Sequence, residues 1–201
     1  MLTITGAILA GGASRRMGRE KAWLPMGAQP MIARIITRLR PHVERIVVIA
    51  NSRNAVTFDN LPVHAVWTDL APDRGPLMGL YTGLMRATTD LTVFVPCDMP
   101  LVDGRLIEPL VRACGEDPAL IAAAGAHHSA GLQPFPLVCR TSACRAIGAM
   151  LDRRVSSVRD FLAHPRVGRV ALDGALGADT FSNINTVADY AHIQPLTPDA
   201  P

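Results

Sequence analysis

Aromatic residues make up only 4% of this 201-residue chain, and no run of basic residues is interleaved with them, so the stacking platform that single-stranded nucleic acid needs is missing. Charge is scarce as well. At 18% charged residues, with 20 Lys and Arg against 17 Asp and Glu, the formal excess of +3 provides no basic stripe, and nucleic acid is not an expected partner. The four cysteines, Cys97, Cys114, Cys139 and Cys144, include no C-x-x-C pair, and the six histidines add no H-x₃₋₅-H spacing, which argues against structural zinc and for free thiols in a reducing cytosol. No segment approaches the roughly 20 apolar residues of a membrane-spanning helix. The apolar start at residues 2–10 has no positive residue before it and is followed by Arg15 and Arg16, the reverse of a secretory leader. The expectation is a cytoplasmic protein that does not enter a membrane.

Hydrophobic residues, at 49%, are plentiful enough to bury one sizeable core. Residues 4–10 form an apolar run ending in Gly11-Gly12, the pattern of a strand buried on both faces that enters a glycine loop. Ile32, Ile35, Ile36 and Leu39 recur at helical spacing between arginines and stop at Pro41, predicting an amphipathic helix over 30–39. Further strands are expected at 45–50, 63–68, 91–95, 120–124, 135–139 and 169–172. Helices are expected from Gly75-Pro76 to residue 87, at 104–113, and within 142–151 and 156–163. This alternation predicts a single Rossmann-like three-layer α/β domain over residues 1–193, with a mostly parallel central sheet and helices on both faces. Residues 194–201, rich in proline and polar side chains, are expected to form a disordered tail.

In such a sheet, ligands bind beyond the carboxyl ends of the strands, and two chemically informative segments are predicted to lie there. The first is Leu9-Ala10-Gly11-Gly12-Ala13-Ser14-Arg15-Arg16-Met17-Gly18-Arg19-Glu20-Lys21, whose glycines let backbone N–H groups approach phosphate while Arg and Lys neutralise its oxygens. It is neither a P-loop nor a G-x-G-x-x-G turn, since Arg19 follows Gly18 and the glycine spacing differs. The plainer alternative is a tight turn before a solvated basic face. The second segment is Pro96-Cys97-Asp98-Met99-Pro100, which sets a carboxylate just past a strand. Asp98 is either an ordinary turn former or an oxygen ligand for Mg²⁺, which takes one or two carboxylates plus phosphates and water.

The glycine-rich segment closely resembles the L-A-G-G-x-S-x-R-M-G-x-x-K signature of the molybdenum cofactor guanylyltransferases (the molybdopterin-guanine dinucleotide synthase family), within the nucleotidyltransferase superfamily. Thr68-Asp69-Leu70 through Arg74-Gly75-Pro76-Leu77-Met78-Gly79 resembles the D-x-x-x-x-x-G-P-L-x-G block of the same enzymes, and Cys97-Asp98-Met99-Pro100 their C-D-x-P motif. Residues 133–140 resemble a [QH]-P-x-x-A-L-x-R stretch with Val138 as a departure. Asn183-Ile184-Asn185-Thr186 resembles N-x-N-T-P, with Val187 in place of the proline.

The resemblance implies that Leu9, Ala10, Gly11 and Gly12 hold a nucleotide, that Lys21 reaches its phosphates with help from Arg15 and Arg16, and that Asp98 carries the catalytic metal, Mg²⁺. Lys21, Asp98 and Arg15 are the implied catalytic set. Asn51, by approximate position and in competition with Ile49, is an implied nucleotide contact. Asp69 is expected to accept hydrogen bonds from a guanine edge or a ribose, and the helix start at Gly75-Pro76 to offer free N–H groups. Gly79 and Gly83 suit ligand contact or close packing equally. Asn183 and Asn185 are implied metal-site or supporting contacts and are equally plausible as helix caps. Adjacent residues of an extended chain point apart, so His127 and His128 are expected to be structural. Cys97 is expected to pack.

The implied reaction moves GMP from GTP onto molybdopterin or the molybdenum cofactor and releases pyrophosphate, with cofactor-delivery proteins or acceptor molybdoenzymes as further partners. Two rivals are a related cytidylyltransferase and a sugar-phosphate nucleotidyltransferase. Gly11-Gly12 favours guanine, because cytosine-using relatives read L-A-A-G there. A non-catalytic nucleotide-binding or cofactor-carrying module is the alternative of a different class, and the joint presence of Lys21 and Asp98 favours the enzyme.

Overall fold

A computed structural model describes residues 2–11, 20–72, 74–127, 131–172 and 178–196. Seven strands form one sheet: β1 (Ile4–Leu9), β4 (Arg45–Ala50), β5 (Ala65–Thr68), β6 (Leu91–Pro96), β7 (Ala122–His127), β8 (Gly131–Arg140) and β9 (Val167–Ala171). Their spatial order is β5-β4-β1-β6-β8-β7-β9. A two-stranded hairpin, β2 (Pro25–Met26) with β3 (Gln29–Pro30), stands apart from it.

Alternating residues of each strand feed opposite faces, as a period of two demands. Ile8, Val48, Val93 and Val138 pack on one side with α1 (Met31–Leu39), α3 (Ile107–Glu116) and α6 (Val187–Ile193). Their neighbours Ala7, Val47, Phe94 and Leu137 pack on the other with α2 (Pro76–Arg86), α4 (Ala143–Asp152) and α5 (Val158–Leu162). Two apolar layers around a sheet buried on both faces make the expected three-layer arrangement. At roughly 1.5–3 kcal/mol for each fully buried large apolar side chain, this packing holds the strand ends in place.

The sequence pattern predicts the elements closely, with instructive differences. The segment beginning at Gly104 starts as a 3-10 turn, Gly104–Leu106, because the Asp103 carboxylate caps the Arg105 N–H at 2.8 Å, and the α-helix proper begins at Ile107. The last strand starts earlier, at Val167. Strand β8 is the exception to the parallel sheet, running antiparallel to both β6 and β7. The tail begins with a 3-10 turn, Gln194–Leu196; 197–201 lie outside the described residues.

Direction matters for function. β1 pairs in parallel with β4 on one side and β6 on the other, but the chain leaves β1 towards β4 and leaves β6 towards β7. The loops after β1 and β6 therefore diverge, which is the topological condition for a crevice above adjacent strand ends.

Candidate active site

The crevice is present as a cleft of about 730 Å³. Its lining brings together Leu9, Gly11, Lys21, Asn51, Asp69, Gly75, Pro76, Gly79 and Asp98, all expected from the sequence, with Ile49, Ser52, Arg53, Pro72, Arg74 and Phe135, which were not. Both competitors for one position, Ile49 and Asn51, reach it. A smaller cleft, about 500 Å³, lies near the amino ends of β1 and β4 between Leu2, Ile4, His42, Glu44 and Arg112. It contains none of the expected site residues.

Strand β6 carries Asp98 to the cleft floor. The Cys97 N–H donates to the Leu9 carbonyl at 2.9 Å, extending the β1–β6 pairing up to the turn where the carboxylate sits. Lys21 enters from a 3-10 turn, Lys21–Trp23, and its Nζ lies 3.8 Å from Asp98 Oδ2 and 3.0 Å from Asn185 Oδ1. Burial raises the Asp98 carboxyl above its ordinary range despite the opposing pull of Lys21 and a backbone hydrogen bond. The charged form is under-solvated without a cation beyond Lys21. Cys97 is shifted the same way. Burial first, then Asp98 and Glu20, push its thiol up to about 12, which removes it as a nucleophile at neutral pH.

A buried amide organises the approach to Lys21. Asn54 Nδ2 donates to the Ala10 carbonyl and to Glu20 Oε1, each at 2.8 Å, and its Oδ1 accepts from the Asn51 N–H at 3.0 Å. Ala10 and Glu20 flank the glycine-rich segment, so one side chain ties its two ends together. Asn51 Nδ2 donates to the Gly11 carbonyl at 3.0 Å. A Cβ at Gly11 would lie 3.0 Å from Asp69 Oδ2, tighter than side chains normally tolerate, so glycine is what lets the turn and this carboxylate share the cleft. Asp69 Oδ1 is buried without a hydrogen-bond partner among the described residues. Burial raises the Asp69 carboxyl against the pull of Thr82 and Arg86. Asp69 Oδ2 is the oxygen that faces the Gly11 turn.

The wall opposite Lys21 is the start of α2. Gly75 caps it at φ 79°, left-handed backbone suited to glycine. The free N–H groups expected there are largely spent: Leu77 donates to the Ser156 carbonyl and Met78 to the Gly75 carbonyl, each at 3.1 Å. Arg74 Nη2 bonds the Leu151 carbonyl at 2.7 Å. Gly83 serves packing, since a Cβ there would lie 2.6 Å from the Phe94 ring, whereas Gly79 both packs on Leu9 and lines the cleft.

Some expected residues stand elsewhere. Ala10 is buried in the core, outside the cleft lining, and its carbonyl accepts from Asn54. Neither Asn183 nor Asn185 caps α6; Thr186 does, in a capping box with Asp189. Asn183 Nδ2 turns back to the Phe181 carbonyl at 3.4 Å, and Asn185 reaches Lys21. His127 is buried against Phe181, ring centroids 5.6 Å apart, as a structural residue. Gly12, Arg15, Arg16 and His128 lie outside the described residues. Sequence reasoning missed Asn54, whose only signal is its place three residues after Asn51, and Phe135, which the reversal of β8 delivers.

Among the described residues the site thus sets Lys21 beside the Asp98 carboxylate, adds Arg53, Arg74 and the Asp69 carboxylate to the lining, and is framed by the turns at Gly11 and Gly75. That is equipment for a phosphorylated ligand and a cation. No group of three or more metal-ligating residues occurs among the described residues, and no helix among them is long and apolar enough to cross a membrane.

Comparison with known proteins gives the same direction. The family model of the MobA-like NTP transferase domain matches residues 6–169. A molybdenum cofactor guanylyltransferase of Yersinia pestis (strain Pestoides F) is 34% identical over 187 residues, covering 92% of each chain. One of Mannheimia succiniciproducens is 36% identical over 190 residues, covering 94% of this chain and 97% of its own. The crystal structure of molybdopterin-guanine dinucleotide biosynthesis protein A from Archaeoglobus fulgidus superposes with a TM-score of 0.78 at 21% identity, over 96% of this chain and 97% of that one. With the crevice between β1 and β6, its lysine and its carboxylate in place, this chain belongs to the MobA-like NTP transferase family and is a nucleotidyltransferase.

Proposed function

We propose that this enzyme transfers GMP from GTP to the terminal phosphate of molybdopterin or the molybdenum cofactor, yielding the guanine dinucleotide cofactor and pyrophosphate. The observation that carries the reading is the convergence of Lys21 Nζ and the Asp98 carboxylate, 3.8 Å apart, at the β1–β6 crevice. The relatives named molybdenum cofactor guanylyltransferase support the choice of nucleotide and acceptor.

Mg²⁺ fits the donor set. The half-buried Asp98 carboxylate is a hard oxygen ligand with its charge only partly compensated by Lys21, and an ion held by one carboxylate, substrate phosphates and water needs no protein cage. When bound there, the ion neutralises charge on the phosphate oxygens.

An oxygen of the acceptor phosphate attacks the α-phosphorus of GTP in line. A new P–O bond forms as the α–β bridging bond breaks, and the electron pair leaves with pyrophosphate. Lys21 stabilises the negative charge that develops, and Arg15 and Arg16 of the glycine-rich segment assist. Leu9, Ala10, Gly11 and Gly12 form the bed of the nucleotide. Asn51 steadies that turn through the Gly11 carbonyl, and the Asp69 carboxylate accepts from the guanine edge or ribose. Gly75, Pro76 and Gly79 shape the wall. Asn183 and Asn185 support the metal side. This reading places the enzyme in the cytoplasm, with product passing to acceptor molybdoenzymes directly or through delivery proteins.

The test is pyrophosphate release with molybdopterin as acceptor, assayed with GTP, CTP, ATP and UTP, and with a sugar phosphate as control. GTP is expected to give the highest kcat/KM, with release requiring both molybdopterin and Mg²⁺. Preference for CTP would reassign the enzyme as a cytidylyltransferase. Turnover with the sugar phosphate alone would reassign the acceptor, and nucleotide binding without pyrophosphate release would leave a non-catalytic module.

A further inference from the structure

Lys21 is steered from outside the cleft that it serves. Its ammonium donates to Asn185 Oδ1 at 3.0 Å. An amide oxygen can orient an ammonium without neutralising it. What holds Asn185 is then the question, because the residue is solvent-exposed and lies before α6, outside the helix. Its own N–H donates to Asp189 Oδ2 at 2.8 Å, and the Thr186 N–H donates to the same oxygen at 2.8 Å.

A capping box requires only the reciprocal pair, Thr186 N–H to the Asp189 carboxylate and Asp189 N–H to Thr186 Oγ1 (3.1 Å). The third bond, to Asn185, extends the cap by one residue to the side chain that meets Lys21. The same stretch is tied to the site twice more. Ile184 N–H donates to the Asp98 carbonyl at 2.9 Å, and Tyr190 Oη donates to the Pro25 carbonyl at 2.6 Å, four residues beyond Lys21. The cap, the amide, the lysine and the carboxylate form one connected chain of bonds.

We propose that Asp189 is a positioning residue for nucleotidyl transfer: its carboxylate fixes Asn185, whose amide oxygen aims the Lys21 ammonium at the nucleotide's phosphates. The inference rests on the reading that Lys21 engages those phosphates. It also accounts for the tolerance of Val187 where relatives of the N-x-N-T-P pattern carry proline. Proline would preset the first helical turn, and here the Thr186–Asp189 box closes that turn instead.

The experiment measures steady-state pyrophosphate release and thermal denaturation for the full chain and five variants: Asp189→Ala, Asp189→Asn, Thr186→Ala, Lys21→Ala, and Asp189→Ala combined with Lys21→Ala. Misplacing a charge by about 1 Å is costly, so Asp189→Ala is expected to lower kcat/KM for the nucleotide by about tenfold or more. Asp189→Asn retains an oxygen that accepts both N–H groups and is expected to restore most of it. Thr186→Ala breaks the helix cap but leaves the Asp189–Asn185 bond, so it lowers Tm while kcat/KM stays at the wild-type value. In the Lys21→Ala background, Asp189→Ala has no further effect, because the two act as one unit.

Equal kcat/KM losses for Thr186→Ala and Asp189→Ala, or full additivity with an impaired Lys21→Ala, would overturn the positioning role and leave the lysine's assignment standing. A Lys21→Ala enzyme with normal kcat/KM would instead remove the reading of Lys21, and this inference with it.

Discussion

Asp98 is held where its charge is least comfortable. Burial raises its carboxyl above the ordinary range, and Lys21 at 3.8 Å offsets this only in part. A carboxyl whose folded-state pKa lies above its unfolded value binds more protons when folded, so stability falls as pH rises through that window and stays reduced above it. Asp98→Asn should therefore stabilise the metal-free protein at pH 7. The gain should fade as pH falls towards the ordinary carboxylate range, where wild-type Asp98 is itself protonated. Urea denaturation in the presence of EDTA at both pH values measures this. The same variant should lose about 10²-fold or more in turnover, since the carboxylate proposed to hold the cation is gone. In the proposed site, cation binding should weaken as pH falls into the range where the Asp98 carboxyl is protonated, because the cation and the proton compete for it. A variant that loses stability equally at both pH values, or keeps its turnover, would contradict the picture of a carboxylate strained for function. Lys21 and Asp98 stood out because each sits in a dense motif, and the structure brings the two to one cleft. Asn54 was not, since a buried Asn that ties Ala10 to Glu20 looks in sequence like any polar loop residue.

At the scale of elements, the Gly75 turn shows how local conformation sets the cleft wall. The residue sits at φ 79°, and a Cβ there would lie 2.8 Å from Ser156 Cβ. Gly75→Ala combines left-handed backbone with a collision, and should cost about 1–3 kcal/mol of stability. Because α2 starts here and Arg74 is bonded to the end of α4, the damage should also raise KM for substrates. Thermal denaturation and KM measured together check it, and a fall in Tm with unchanged KM would uncouple the turn from the site. Gly75-Pro76 was readable as a helix start, yet its N–H groups are committed to the Ser156 and Gly75 carbonyls, a tertiary fact with no local signature. The direction of β8 is a subtler case. Ten residues separate the predicted strands at 120–124 and 135–139, too short for the helical crossover that a parallel connection needs. That spacing already specified an antiparallel pair, and the reversal is what brings Phe135 to the cleft.

At the scale of the whole molecule, the described residues bring several strand ends and two helix approaches to one cleft. Strands β1, β4, β5 and β6 each deliver a residue to the cleft at or just past their carboxyl ends, α2 supplies the wall, and the segment before α6 closes on Lys21. The alternation of apolar runs made the parallel core legible in advance. The closure by α6 was hidden, because it depends on bonds spanning 164 residues between Lys21 and Asn185. Such convergence has a thermodynamic consequence. A ligand that binds only the folded state stabilises it by RT ln(1 + [L]/Kd), about 2.7 kcal/mol at a hundredfold excess over Kd. On the proposed function, GTP with Mg²⁺ should thus raise Tm more than the sum of the two separately, since an ion shared between Asp98 and the phosphates couples the two binding events. In Asp98→Asn that surplus should vanish while the smaller shift produced by GTP alone persists, because Gly11, Asn51 and Asp69 are untouched. Thermal melts of both proteins across the four conditions measure the coupling. Equal metal-dependent surpluses in the two proteins would mean that the cation is held elsewhere, and that the carboxylate between β6 and Lys21 serves only the fold.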